Sequence, residues 1–196
     1  FNECLDKTLK GARSISKISI QTGTSHGGVP GPDGKVVQVS MDFECLESLS
    51  RISREDYGLA GAVQHGASTL PRELFNKFPE LETAEIHLAT EFQNMIYDHD
   101  RFPADFKDKI YTHLREKFAS EKKDADTDEQ FIYKTRKKGF GEFKSEFWNL
   151  PENIKSEISK ELENKFEFLF KQLKVENTMD IIEKTIKPVK IPHTSS

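Results

Sequence analysis

Two short apolar runs in this chain each lead to a histidine followed by glycine, and that pairing constrains the fold more than any other feature. The first run, Ile15-Ser16-Lys17-Ile18-Ser19-Ile20, leads to Ser25-His26-Gly27-Gly28. The second, Leu59-Ala60-Gly61-Ala62-Val63, leads to Gln64-His65-Gly66-Ala67-Ser68. Alternating or continuous apolar stretches of this length read as strands. Glycine directly after each histidine lets a ligand come close to the backbone. A neutral imidazole at a strand end is a nitrogen donor for a metal. Strand, His-Gly and a turn of small residues together describe a metal site at the carboxyl ends of parallel strands.

The rest of the first half repeats this grammar. Asp42 caps a helix carrying Phe43, Leu46, Leu49 and Ile52, and Gly58 ends it. Val29-Pro30-Gly31-Pro32-Asp33-Gly34 reads as a turn-rich loop. Pro71 fits the first position of a helix over 72–78, with Ser68 or Thr69 near the cap. Ala84-Glu85-Ile86-His87-Leu88 is a third strand, and Ala89-Thr90-Glu91 opens the next helix. Repeated βα units imply an α/β fold with parallel strands and right-handed crossovers.

Residues 104–187 lose the strands. Phe106, Ile110 and Leu114 recur at four-residue spacing, and Pro151 starts a long helix with Ile154, Ile158, Leu162, Phe166, Leu169, Phe170 and Leu173 on one side. This half is expected to pack its helices on the first half, with a dimerisation arm as the sharper alternative. Residues 1–103 then form one unit, 104–187 a helical extension, and 188–196 a disordered tail.

A net charge of -4 argues against general binding to nucleic acid or to a membrane surface. No apolar run is long enough to span a bilayer and no signal peptide is visible, so a cytoplasmic location is expected. Cys4 and Cys45 belong to no CxxC pattern and read as small core residues. Asp124, Asp126 and Asp128 mimic the start of a calcium loop. Glu129 stands where that loop needs glycine and Thr135 where it needs a bidentate glutamate. Thr127 with Gln130 makes a capping box instead.

Parallel α/β folds keep their sites at the carboxyl ends of strands, which brings His26, His65 and His87 together in principle. The turns Gly66-Ala67-Ser68 and Ala89-Thr90 present backbone N–H groups and hydroxyls near helix starts, a geometry that binds phosphate. Helix capping by Ser68 and Thr90 explains the same residues equally well.

The three segments Thr22-Gly23-Thr24-Ser25-His26-Gly27, Gln64-His65-Gly66-Ala67-Ser68 and Ile86-His87-Leu88-Ala89-Thr90-Glu91 resemble the last three strand motifs of class II, zinc-dependent fructose-bisphosphate aldolases. The resemblance covers roughly residues 10–100. It implies about three βα units from the carboxyl-terminal part of a TIM (β/α)8 barrel, followed by a helical extension. It implies that His26 and His65 are two of three zinc ligands. It implies that Gly27, Gly66, Ala67 and Ser68, with Ala89 and Thr90, contact a phosphate of the substrate, and that a monovalent cation accompanies the zinc. His87 falls where the family usually has an asparagine that hydrogen-bonds the substrate.

What the resemblance implies chemically is retro-aldol cleavage of a ketose bisphosphate in a homodimeric enzyme, with zinc as Lewis acid on the ketone. The third zinc histidine and the proton-transfer carboxylate are expected from a segment preceding Phe1. A Schiff-base route is disfavoured because Lys17, the lone lysine inside an expected strand, alternates outward. Arg136, Lys137 and Lys138 form a basic cluster that either reaches a second phosphate or lies on a solvated face. The rivals are a non-catalytic scaffold that binds a partner through its Phe-rich helices, and an aldolase for tagatose bisphosphate.

Overall fold

The computed structural model describes residues 1–12, 14–24, 28–37 and 40–191. Its central element is a parallel sheet of three strands in the order β1 (Ile18–Ile20), β4 (Ala62–Gln64), β5 (Glu85–Ile86). Ile18 pairs with Ala62 and Ile20 with Gln64; Val63 pairs with Glu85. Between β1 and β4 the chain makes a small antiparallel hairpin, β2 (Val29–Pro30) and β3 (Val36–Val37), where a turn-rich loop was expected. The molecule is therefore mixed α/β. Its described strands form an open sheet of three and a separate hairpin, not a closed barrel.

A short first helix, α1 (Asn2–Thr8), buries nothing. Helix α2 (Phe43–Glu55) follows β3 and packs on the sheet. The Asp42 carboxylate accepts from the Cys45 backbone N–H at 2.8 Å, satisfying one of the orphan donors of the first turn. Leu46, Ser50 and Ser53 make its buried stripe. Gly58 (φ +63°) then gives its N–H to the Arg54 carbonyl at 3.1 Å, as the expected terminator.

Both cysteines depart from expectation: Cys4 is exposed on α1, and Cys45 is half-buried. One residue is 100° of helical turn, so Cys45, directly before Leu46, falls off the buried stripe.

The single helix expected over 72–78 is broken into a 3-10 turn (Arg72–Leu74) and a four-residue helix, α3 (Lys77–Glu80). Pro79 explains the break. It has no N–H for the Phe75 carbonyl, and its ring crowds that carbonyl in a continuous helix.

The remaining helices are α4 (Thr90–Asp98), α5 (Ala104–Lys117), α6 (Asp128–Thr135), α7 (Gly139–Glu142), α8 (Lys144–Trp148), α9 (Glu152–Gln172) and α10 (Met179–Thr185). The capping box of α6 is present in both directions: Thr127 Oγ1 accepts from the Gln130 N–H, and Gln130 Oε1 accepts from the Thr127 N–H. That turn closes no acidic loop.

Two apolar cores result. One joins sheet and helices through Met41, Leu46, Ala62, Ala67, Leu70, Phe75, Phe78 and Leu169. The other is helical and aromatic, built on Tyr97, Phe102, Ile110, Leu114, Phe131, Ile132, Phe143 and Ile158. Helix α9 contributes Ile158 to the second core and Leu169 to the first. Its 21 residues span about 30 Å, enough to brace both. The stripe read from the sequence is thus mostly core packing, although Phe166 and Phe170 remain half-exposed, with Phe166 stacked on Phe92. Among the described residues no helix is long and apolar enough to cross a membrane.

Candidate functional site

Gln64, the last residue of β4, organises the carboxyl end of the sheet. Its side chain is buried, so its amide must be paired internally. Its Oε1 accepts from the Thr22 hydroxyl at 2.9 Å, and its Nε2 donates to Thr24 Oγ1 at 2.9 Å. Thr24 Oγ1 in turn donates to the His65 carbonyl at 2.8 Å. The loop leaving β1 is thereby tied to the loop leaving β4, two residues before His26. His26 itself and Gly27 lie outside the described residues. Sequence reasoning missed Gln64; its position directly before His65, on the helix-facing side of the strand, was the available signal.

His65 and His87 come together. The His87 N–H donates to the Gln64 carbonyl at 2.9 Å, which carries the β4–β5 ladder one residue past the strand end. The two histidines therefore sit side by side on one face, with ring centroids 4.2 Å apart and planes inclined by 52°. They line a cavity of about 430 Å³ with Gly66, Ser68, Ala89 and Thr90. Gly66 adopts φ +72°, ψ 15°, the left-handed turn that glycine takes without a Cβ penalty. Ala67 does not join this wall: its side chain is fully buried in the first core.

The two groups expected to hold phosphate partly satisfy each other. The Ala89 N–H donates to Ser68 Oγ at 2.8 Å, so that N–H is spent. The Ser68 hydroxyl keeps its own proton for a ligand. Thr90 is the first residue of α4, whose N-terminal end borders the cavity.

Glu85 and Lys17 were not anticipated. Glu85 lies on β5 two residues before His87 and so on the same face. Its Oε1 bonds His87 Nε2 and its Oε2 accepts from Lys17 Nζ. These two partners, the Lys17 ammonium foremost, hold the Glu85 carboxyl down at about 2. Lys17 therefore reaches the site face instead of pointing outward: Ser19 is in register with Val63 and Val63 with Glu85, so Lys17, two residues before Ser19, shares their face and extends across β4 to Glu85. It is partly exposed and ion-paired, unlike the desolvated amine a Schiff base requires.

The basic cluster is split by burial. Arg136 is 8% exposed, not on a solvated face. Its guanidinium grips Asp98 through Nη1 (2.8 Å) and Nη2 (3.0 Å), and Nη2 also reaches Asn94 at 2.6 Å. Lys138 pairs with Glu121. Lys137 is exposed, with no ion pair among the described residues. A second cavity of about 260 Å³ is lined by Lys134, Arg136, Lys137, Gln93 and Gly28, and it shares Thr90 with the first.

Among the described residues no three His, Cys, Asp or Glu side chains are grouped to hold a metal ion. Nε2 of His87, the neighbour of His65, is occupied by Glu85. The described residues thus supply part of a zinc site at most. No protein-family model matches the chain, and no curated protein matches it.

Proposed function

We propose that this chain is the phosphate-binding part of a metal-dependent aldolase that cleaves a ketose bisphosphate, fructose 1,6-bisphosphate foremost. The observation that carries this reading is the 430 Å³ cavity, whose wall unites His65, Gly66, Ser68, His87, Ala89 and Thr90 from two different strand ends. Those residues came from the sequence motifs independently of any cavity. The second cavity supports a bisphosphate over a monophosphate. Thr90 is common to both spaces, and the second is the one with cationic side chains.

In this reading one phosphate sits against the Ser68 hydroxyl and the start of α4. The other lies toward Lys137, beside Lys134, which is paired with Asp126. The remainder of the barrel, one zinc histidine and the proton-transfer carboxylate come from a segment that pairs with the free edge of β1. Ile15, Ile18, Leu49 and Tyr57 surround that edge and are exposed. Zinc would be held by His65 and, from the resemblance, His26.

Two measurements test the proposal. Inorganic phosphate titrated into the chain is expected to shift the amide resonances of Gly66, Ser68 and Thr90 together; shifts confined to other residues overturn the site. The complete polypeptide is expected to cleave fructose 1,6-bisphosphate, to lose that activity on chelation, and to resist borohydride trapping with substrate. Full activity after rigorous metal removal overturns the class.

A further inference from the structure

The contacts of Glu85 bear on what the cavity selects. Its two carboxylate oxygens have separate partners, Lys17 on one and His87 Nε2 on the other. A carboxylate oxygen only accepts, so the hydrogen between Glu85 Oε1 and His87 Nε2 is carried by the ring nitrogen. In a neutral imidazole the nitrogen that donates fixes the other as an acceptor. We propose that Glu85 is the positioning residue of this site. Its carboxylate takes the Nε2–H of His87 and leaves Nδ1 as an acceptor, so that the cavity selects a phosphorylated ligand carrying a hydroxyl donor. The selectivity rests on the phosphate reading above; the tautomer does not.

The alternatives differ chemically. An amide or a freely flipping imidazole at this place serves a carbonyl or a hydroxyl equally, since it can present a donor. A ring whose N–H is taken by Glu85 presents only a lone pair, and rejects a ligand whose nearby oxygen has no hydrogen. The tilted contact with His65 at 4.2 Å restrains the ring further on its other side.

The tautomer is tested on the chain itself by long-range proton–nitrogen spectra at a pH two units above the ordinary imidazole value of about 6.5. His87 is expected to show a protonated Nε2 and an unprotonated Nδ1. Glu85→Ala is expected to mix the two tautomers, while Lys17→Met, which removes the other half of the ion pair, leaves them as they are. A protonated Nδ1 in the parent chain, or a pattern unchanged by Glu85→Ala, overturns the assignment. So does a Lys17→Met change as large as that of Glu85→Ala.

Selectivity is read with 2-hydroxyethyl phosphate against 2-methoxyethyl phosphate, with inorganic phosphate as the baseline. The hydroxyl compound is expected to bind about tenfold tighter, the effect of one hydrogen bond gained against one acceptor left facing another. Glu85→Ala is expected to bring the ratio close to one. Equal binding in the parent chain, or a preference that survives Glu85→Ala, overturns the selectivity. If inorganic phosphate does not bind, the phosphate reading falls and the selectivity with it, while the spectra still decide the tautomer.

Discussion

The imidazoles of His65 and His87 lie 4.2 Å apart, centroid to centroid, although they end different strands. Parallel pairing of β4 with β5 produces this contact, because Val63 is in register with Glu85 and side chains two residues on share a face. A slip of one residue would send one ring into the apolar core side and empty the cavity wall. The site is thus a consequence of strand register as much as of residue type.

Ser68→Ala should weaken phosphate binding about tenfold and also cost roughly 1 kcal/mol of stability, since it removes a ligand donor and leaves the Ala89 N–H without its acceptor. Phosphate titration and urea unfolding check the two effects separately. Lys137→Ala should leave inorganic phosphate affinity unchanged and lower affinity for a sugar bisphosphate, with the difference shrinking at high salt.

Acid should find Glu85. Its carboxyl is lowered from 4.5 to about 2 by Lys17 and then His87. A depressed folded-state value means the ionised form stabilises the fold. That contribution is complete above pH 4.5 and fades as pH falls from 4.5 toward 2. Thermal midpoints of the parent chain and Glu85→Gln should therefore differ near neutrality and converge across that window. A gap that stays constant down to the bottom of the window would contradict the pairing.

Lys165→Met should destabilise by about 3 kcal/mol. Lys165 is 6% exposed in its side chain, its ammonium reaches Glu91 Oε1 at 2.6 Å, and it lies over the Phe75 and Phe168 rings. Removing it strands a carboxylate whose Oε2 is already buried without a hydrogen bond among the described residues. Adding Glu91→Gln to Lys165→Met should recover much of the loss, because the uncompensated charge goes with it. Urea unfolding of the two variants decides this.

The glycines of α7 should respond in opposite directions. A Cβ on Gly139 would stand 2.5 Å from Tyr97 Oη and 2.8 Å from Ile110 Cγ2. Tyr97 cannot swing aside, being fully buried with its hydroxyl donating to the Arg136 carbonyl at 2.9 Å. Gly139→Ala should cost about 1–3 kcal/mol through overpacking. A Cβ on Gly141 meets nothing within 4 Å, so Gly141→Ala should be neutral or stabilise by up to about 1 kcal/mol through helix propensity. Equal effects at the two positions would contradict the packing of the aromatic core.

Local signals carried well from sequence to structure. Asp42 caps α2, Thr127 and Gln130 close their box, and Pro151 precedes α9, each because the chemistry acts within four residues. The three strands appear where apolar runs predicted them, though shorter, since only 18–20, 62–64 and 85–86 pair. Pro79, directly after the helix expected over 72–78, is a sequence signal for the break seen there. Arg136 is the instructive failure. One residue among three basic ones reads as solvated, and only Asp98 and Asn94, both about forty positions away, make its burial tolerable.

By itself the sequence determined an α/β grammar, the ends of its main helices, and two strand-end motifs with the small residues a ligand site needs. Tertiary structure alone decided that His65 faces His87, that Glu85 and Lys17 reach the same face, and that Ala67 is core rather than wall. The reason is that register, burial and charge pairing join residues dozens of positions apart, and no periodicity along the chain encodes which of them will meet.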